Sequence, residues 1–145
     1  MNEEHFRKLE RMYLKANINT QFFDTTTAQI QHGEAAISIE IEDKYFHALG
    51  AIHGSVYFKL LDDAAFFAVN SIVEDVFVLT TNFNLQLIRP ANSGRITATG
   101  KVKFKSQNLW VAESRLVNDQ GKEIAFGTGN FMKSKVQLSE EIGYI

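Results

Sequence analysis

The sequence predicts an α+β fold in which an antiparallel β-sheet wraps around one central α-helix. The first observation is a run over residues 56–69 that is almost entirely apolar and too long to be one strand. Apolar side chains cover nearly every side of the helix predicted at about residues 54–72, which places that helix inside a core. The second observation is that hydrophobic residues recur with a period of two in the segments downstream. Long consecutive strands after one buried helix are typical of an α+β arrangement.

The segment before this helix predicts further elements. Residues 2–16 have the spacing of an amphipathic helix, whose apolar face carries Phe6, Leu9, Met12 and Tyr13. We interpret it as an N-terminal helix packed on the edge of the domain, with a docking helix for another protein as the less favoured alternative. Residues 18–31 are polar and rich in threonine, which favours a short strand before a turn at His32-Gly33. Residues 34–42 alternate as a half-buried strand does.

The segment after the helix alternates between apolar and polar residues in four stretches. They predict strands at about residues 82–87, 96–105, 109–117 and 124–132. Residues 118–121 have the composition of a turn between the last two strands. Pro90, the only proline, ends the first of these strands, where its missing N–H does no harm.

Two adjacent carboxylates, Asp62 and Asp63, interrupt the apolar helix. An ionised Asp in an apolar setting loses hydration worth roughly several kcal/mol. Neighbouring side chains on a helix point about 100° apart, so one of the two can face solvent. We expect the other to lie at an interface or in a functional site.

The residues around the start of this helix resemble the signature of a known family. Residues 47–55, HALGAIHGS, followed by Asp62, are similar to the Asn-x-x-Gly-x-x-His-Gly-Gly…Asp pattern of hotdog-fold acyl-CoA thioesterases. The branch they resemble is the phenylacetyl-CoA thioesterase-like (PaaI-like) group. Residues 80–91 are similar to the family's strand that ends in Pro-Ala, and residues 121–132 to its last strand. The resemblance implies hydrolysis of an acyl- or aryl-acyl-CoA thioester to the free acid and CoA, without a cofactor.

The resemblance also implies roles for individual residues. The family carboxylate that matches Asp62 is the nucleophile or general base, so we expect Asp63 to be the one that faces solvent. The N–H of Gly54, at a helix start where backbone donors are free, would polarise the thioester carbonyl. Gly54 would also be explained by turn geometry alone. His53 would either hydrogen-bond around the thioester or brace the loop.

Three positions depart from the family pattern or leave a choice. His47 stands where the family usually has an Asn that holds the substrate carbonyl or the attacking water. A His can donate one hydrogen bond in the same way, although it titrates near neutral pH. Ser55 replaces a glycine and adds bulk near the carbonyl. Thr80 matches a family hydroxyl that orients water, with Thr81 as the alternative. We expect Ser55, Phe58 and Thr81 to contact the substrate.

Three functions follow from these residues. The first is an acyl-CoA thioesterase, and the second is a hotdog protein that binds acyl-CoA without turnover as a sensor or scaffold. The missing Asn at position 47 keeps the second interpretation open. The third is a hydratase or dehydratase of enoyl thioesters, which usually pairs an Asp and a His within a different loop motif. That motif is absent from this sequence.

Composition bounds these functions. With 145 residues, of which 45% are hydrophobic, we expect a single domain over residues 1–145 with a sizeable core. The absence of cysteine excludes disulfides, thiolate metal sites and a Cys nucleophile, and the four histidines lack metal-binding spacing. We therefore expect neither a metal nor a cofactor. A net charge of −2 gives no general attraction to nucleic acid.

Location and assembly are predicted in the same way. The N-terminal residues are charged rather than apolar, and the central helix is too short and too charged to span a membrane. We expect a cytoplasmic protein with no membrane or nucleic-acid partner. The resemblance implies a homo-oligomer, a dimer or a dimer of dimers, whose active site is shared between subunits.

Overall fold

Across residues 2–145, which the computed structural model describes, the chain forms three α-helices and six strands. The helices are α1 (Glu3–Lys15), α2 (Asn17–Gln21) and α3 (Gly54–Asn70). The strands are β1 (Thr27–Gln31), β2 (Glu34–Glu40), β3 (Val76–Leu87), β4 (Arg95–Lys105), β5 (Trp110–Val117) and β6 (Glu123–Gln137). Short 3₁₀ turns precede α3, at Asp43–Tyr45, and follow β6, at Glu140–Ile142.

The strands form one antiparallel sheet in the order β1-β2-β4-β5-β6-β3. Helix α3 packs against all of them, so the sheet wraps around this helix. The predicted α+β fold, with a central helix and an amphipathic helix at the N-terminus, is confirmed. The short strand expected within residues 18–31 is β1, and it is preceded by a helical turn at Asn17–Gln21 that the sequence did not predict. Some bounds also differ: α3 ends at Asn70, β3 begins earlier than predicted, at Val76, and β6 extends further, to Gln137.

Asn70 ends α3 and directs the chain into β3. Its buried side chain donates to the carbonyl oxygens of Val73 and Val76 at 3.0 Å each and accepts from the Val78 N–H at 3.1 Å. These bonds satisfy the backbone of a turn rather than of a further helical turn, so the helix stops before its apolar pattern does. They also fix the start of β3 against the end of the helix.

Close contact between α3 and β4 depends on small residues. Ala64 and Ala65 are fully buried on the helix, and Gly100 faces them from the strand. A Cβ atom at position 100 would lie 2.3 Å from the backbone oxygen of Ala64, far inside van der Waals contact. On β5, the buried Ser114 hydroxyl donates to the Leu61 carbonyl at 2.8 Å. The helix therefore rests directly on the sheet backbone, and its rotation about its own axis is fixed.

The N-terminal helix is part of the same core. The apolar face of α1 is buried, as expected for a packed helix. His5 is 1% exposed and joins three segments of the chain. Its Nε2 lies 2.8 Å from the Asn70 carbonyl oxygen at the end of α3, and its Nδ1 lies 2.6 Å from the Tyr144 hydroxyl near the C-terminus. This arrangement fixes the start of α1 against the end of α3.

We expect Gly100→Ala to destabilise the protein by about 2 kcal/mol or more, because overpacking costs about 1–3 kcal/mol and a helix backbone cannot rotate away. Urea unfolding monitored by circular dichroism measures the change. Thr99→Ala, at the neighbouring position that points away from the helix, is the control and should stay within about 0.5 kcal/mol of the parent. Equal unfolding midpoints for Gly100→Ala and its parent would contradict the close contact.

Candidate active site

Asp62 lies in the middle of α3 and faces β3. The Thr80 hydroxyl donates to Asp62 Oδ1 at 2.8 Å. The register of β3 shifts between Thr80 and Asn82. Thr81 is exposed and donates to the Asn130 carbonyl at 3.2 Å instead. The structure thus brings Thr80, not Thr81, to the carboxylate.

The environment of Asp62 favours its neutral form. The pKa of this carboxyl is raised from 3.8 to about 6, mainly by burial and also by the negative charge of Asp63. The Thr80 hydrogen bond and the Lys59 ammonium lower it without cancelling the effect of burial. A carboxylate with a pKa near 6 is ionised at neutral pH and is still basic enough to accept a proton there.

Asp63 does not face solvent, which corrects the expectation from the sequence. Its side chain is 22% exposed, and its Oδ2 accepts from Lys59 Nζ at 2.7 Å and from the Tyr13 hydroxyl at 2.6 Å. Helix α1 packs over this side of α3, so Tyr13 occupies the place beside Asp63 where the sequence predicted solvent. Lys59 precedes Asp63 by four residues, the spacing of a helical ion pair, and this was the sequence signal for their contact.

Asp62 and Thr80 open onto an apolar cavity of about 860 Å³. Its walls come from α1, α2, α3, β3, β6 and the C-terminal 3₁₀ turn. The apolar lining consists of Met12, Ala16, Ile18, Phe66, Phe67, Phe77, Leu79, Val136 and Ile142. Phe66 packs against Phe67 and Phe77, with ring centroids 4.9 and 5.1 Å apart. A carboxylate at an aromatic cavity can act on a polar group whose apolar substituent fills that cavity.

Gly54 and His47 lie in a second depression of about 380 Å³, together with Ile52, Tyr57 and the residues that follow β3. The Tyr57 hydroxyl donates to the Arg89 carbonyl at 2.6 Å and holds the start of α3 against that segment. A Cβ atom at Gly54 would lie 3.3 Å from Leu87 Cδ1, so there is little room for a side chain beside this N–H.

The two histidines of this loop have defined orientations. His47 Nδ1 accepts from the Leu49 N–H at 3.1 Å, so the neutral ring carries its hydrogen on Nε2. His53 is the N-cap of α3: its Nδ1 accepts from the Ser55 N–H at 3.0 Å and lies 2.8 Å from Ser55 Oγ. Both rings are exposed. Each therefore presents an Nε2–H donor to whatever approaches the loop.

One chain does not bring Gly54 and Asp62 together. They are eight residues apart on α3, which separates them by about 12 Å along the helix axis, and they open onto different depressions. Phe58 lies midway between them, is 41% exposed and packs edge-on against Phe83 with ring centroids 5.8 Å apart. Gly54, Phe58 and Asp62 follow the four-residue spacing of one helix face.

Two classes of site are absent from the described part of the chain. Within residues 2–145, no group of three or more His, Asp or Glu side chains could hold a metal ion. In the same residues, no helix is both long and apolar enough to cross a membrane.

Residues 49–125 match the family model described as the thioesterase superfamily, which is more than half of the chain. The chain belongs to this superfamily. The match confirms the family that the motif around α3 indicated and the expected class of enzyme, a thioester hydrolase. A relative from Saccharolobus solfataricus that is named as an esterase is 23% identical over 137 residues, which cover 93% of this chain and 98% of that protein.

Solved structures share the fold of this thioesterase. The E. coli PaaI protein from the phenylacetic acid degradation operon superposes with a TM-score of 0.84 at 20% identity, over 94% of this chain and 97% of that one. A point mutant of the phenylacetic acid degradation protein PaaI from Thermus thermophilus gives 0.68 at 22% identity, over 75% and 93% of the two chains. A point mutant of a thioesterase from Staphylococcus aureus gives 0.72 at 24% identity, over 81% and 98%.

We expect Asp62→Asn to stabilise the thioesterase at pH 8 but not at pH 4. Because the pKa of Asp62 is raised to about 6, the folded state keeps a proton that the unfolded state releases near pH 3.8. Wild-type stability therefore falls as pH rises from about 4 to about 6, and a neutral amide avoids this loss. After solvent screening, we expect the gain at pH 8 to be about 1 kcal/mol.

Thermal unfolding of both proteins across this pH range measures the difference. Asp75→Asn, at an exposed carboxylate on the loop after α3, is the control and should show no such trend. A stability difference between Asp62→Asn and the parent that is constant with pH would contradict the assigned environment.

Proposed function

We propose that this thioesterase hydrolyses acyl- or aryl-acyl-CoA thioesters and that Asp62 is its general base or nucleophile. The observation that carries the proposal is the half-buried Asp62 carboxylate, held by Thr80 at the edge of an apolar cavity. At neutral pH a carboxylate with a pKa near 6 is ionised and can accept a proton from water. The aromatic walls fit an apolar acyl or aryl group, and a structural neighbour is named for the phenylacetic acid degradation operon.

The Gly54 loop is proposed to hold the thioester carbonyl. The Gly54 N–H lies at the start of a 17-residue helix, where free backbone donors and the helix dipole favour a developing oxyanion. The Nε2–H groups of His47 and His53 are the further donors that this loop offers, and His53 and Ser55 also fix its shape. Such donors stabilise negative charge that develops on the carbonyl oxygen only in the transition state.

We infer that each active site combines two subunits. In a two-fold dimer, if residue i of one subunit contacts residue j of the other, then j contacts i. A contact centred on Phe58 pairs position 54 with position 62, because 58 is midway between them. Such a contact would bring the Gly54 N–H of one subunit to the Asp62 carboxylate of its partner. Within one chain these two groups cannot meet, because about eight helical rises separate them by about 12 Å.

An exposed edge of the sheet supports this dimer. Strand β3 has 12 residues and lies at one end of the sheet order, so one of its edges has no partner strand within residues 2–145. Leu79 and Leu87 on this strand, like Phe58 beside it, are large apolar side chains that are 41–50% exposed. A long apolar edge strand is a surface that pairs with another chain. Pairing of two β3 strands would make one continuous sheet and would be expected to bury more than about 2,000 Å².

The reaction then follows from these positions. As general base, Asp62 takes a proton from a water molecule, and the water oxygen attacks the thioester carbon while electrons move to the carbonyl oxygen beside the Gly54 N–H. Thr80 holds the carboxylate in place. When the carbonyl reforms, the C–S bond breaks, and the CoA thiolate leaves and takes up a proton. As nucleophile, Asp62 would attack the thioester carbon itself, and the C–S bond would break to release the CoA thiolate and leave an anhydride, which water then hydrolyses to the free acid and the Asp62 carboxylate.

Two inactive variants should restore activity together. Asp62→Asn removes the base, and Gly54→Val blocks approach to the N–H, so each homodimer should lose at least about 10²-fold in the release of CoA thiol from acyl-CoA. A heterodimer purified with two different tags contains one intact site, because the intact loop and the intact carboxylate come from different chains. It should recover about half of the wild-type activity.

Light scattering checks the premise, since a monomer at micromolar concentration contradicts a shared site. A heterodimer no more active than either parent would contradict it as well. Binding of acyl-CoA by the wild type with no release of thiol would support the alternative of a protein that binds without turnover.

We also predict that His47 contributes a donor rather than a charge. His47→Asn keeps a side-chain N–H and should retain kcat/KM within a few-fold, whereas His47→Ala should lose about 10²-fold, the typical effect of removing one oxyanion-hole donor. His32→Ala, at a histidine in the turn between β1 and β2, is the control. Equal activities of His47→Ala and the wild type would remove His47 from the site.

A further inference from the structure

A four-residue polar cluster lies directly behind Asp62 and contains the Lys59–Asp63 ion pair. Its members are Tyr13, Asn19, Lys59 and Asp63. Tyr13 and Asn19 lie on α1 and α2, outside the segment 49–125 that matches the family model. The cluster is thus formed between α3 and an N-terminal part of the chain that the family match does not include.

The ammonium of Lys59 is fully used within this cluster. Its side chain is 11% exposed, and Nζ donates to Asp63 Oδ2 at 2.7 Å, to the Asn19 side-chain oxygen at 2.9 Å and to the Tyr13 hydroxyl at 3.0 Å. It also lies 4.7 Å from the ring centroid of Phe23. An ammonium has three N–H donors, and all three have acceptors here. Lys59 therefore has no free donor for a substrate phosphate or carboxylate.

The other members hold this geometry in turn. Asn19 Nδ2 donates to the Tyr13 carbonyl at 2.7 Å, so the amide is bonded at both ends. The Tyr13 hydroxyl donates to Asp63 Oδ2, and burial raises the pKa of Tyr13 well above its ordinary value, as does the charge of Asp63. Tyr13 thus stays a neutral donor. Asp63 is directed towards α1 and compensated by one full positive charge.

We propose that Lys59 and Asp63 are positioning residues for Asp62: Lys59 turns Asp63 away from the reacting group and cancels its charge, so that Asp62 is the one carboxylate free to act. Without this pairing, two adjacent negative charges would compete for one proton. The inference rests on the proposed role of Asp62, but the charge coupling itself is a property of the three side chains.

Few other charges face Asp62. On its own helix they are Lys59 and Asp63, and from β3 it meets the uncharged Thr80. From α1, Tyr13 and Lys15 line the same cavity, and from the C-terminal 3₁₀ turn so does Glu141. Lys15 and Glu141 are exposed, so water screens them. Lys59 and Asp63, whose side chains are mostly shielded from solvent, should therefore dominate any change in the titration of Asp62.

Opposite shifts in two variants test the proposal. Lys59→Met leaves the negative charge of Asp63 uncompensated, so Asp62 should titrate about 1 pH unit higher than in the wild type. Asp63→Asn leaves the positive charge of Lys59 uncompensated, so Asp62 should titrate about 1 pH unit lower. The double variant Lys59→Met/Asp63→Asn removes both charges and should return the titration close to that of the wild type.

The direct readout is the ¹³C resonance of the Asp62 side-chain carboxyl, followed against pH in the full-length protein and assigned with Asp62→Asn. The acidic limb of kcat/KM should move with it. Lys8→Met is the matched control, because Lys8 pairs with Glu4 at the same i, i+4 spacing on the surface of α1. It should leave both readouts unmoved.

Shifts in the same direction for both single variants, or no shift in either, would overturn the proposal and leave a merely structural cluster. Lys59→Arg keeps the charge and should leave the titration of Asp62 as in the wild type. If Lys59→Met does not fold, Asp63→Asn alone tests the proposal, because an Asp62 titration unchanged from the wild type would overturn it. The ¹³C resonances could shift as expected although neither the wild type nor any variant releases CoA thiol. In that case the proposed function fails, and the charge coupling of Lys59 and Asp63 to Asp62 stands.

Discussion

The cost of placing carboxylates on a buried helix governs the arrangement around α3. Helix α3 packs against every strand of the sheet, so little water can hydrate charged groups on it, and yet it carries Asp62 and Asp63 side by side. The two carboxylates have different partners. Asp63 receives an ammonium and a phenol, so that its charge is neutralised by a bonded partner. Asp62 accepts a hydrogen bond from the Thr80 hydroxyl. This bond does not compensate for the burial of the charge, so the pKa of Asp62 is raised.

Precise packing is what makes that difference possible. Gly100 lets α3 rest on the sheet, Ser114 bonds to its backbone, and Asn70 fixes where β3 starts. Together they determine which β3 hydroxyl meets Asp62. The shift in register after Thr80 then turns Thr81 outward, so Asp62 accepts a hydrogen bond from Thr80 and not from Thr81. A looser helix could rotate, and Asp62 would exchange its hydroxyl partner for water.

The sequence was informative where an interaction is local and uninformative where it joins distant segments. The apolar run predicted α3, the alternating pattern predicted the strands, and the spacing from His53 to Asp62 indicated the family. Asp63 was misplaced because its partner Tyr13 lies 50 residues away, and helical periodicity alone cannot show that α1 covers that face. Lys59 lies four residues before Asp63, a spacing that indicates an ion pair on a helix, but the apolar residues around it drew attention away from this pair. The cavity could not be predicted, since its walls join residues from Met12 to Gly143.

The same helix also explains why the proposed chemistry needs two copies of the chain. An oxyanion site belongs at a helix start, where backbone N–H groups are free, whereas a basic carboxylate belongs in the middle, where burial raises its pKa. On one straight helix these two requirements keep Gly54 and Asp62 apart, in separate depressions. A two-fold axis near Phe58 would reconcile them, since it sets the start of each helix against the middle of the other. In that arrangement the apolar edge that seals the dimer would also shield the thioester from bulk solvent, so that assembly and catalysis would depend on one surface.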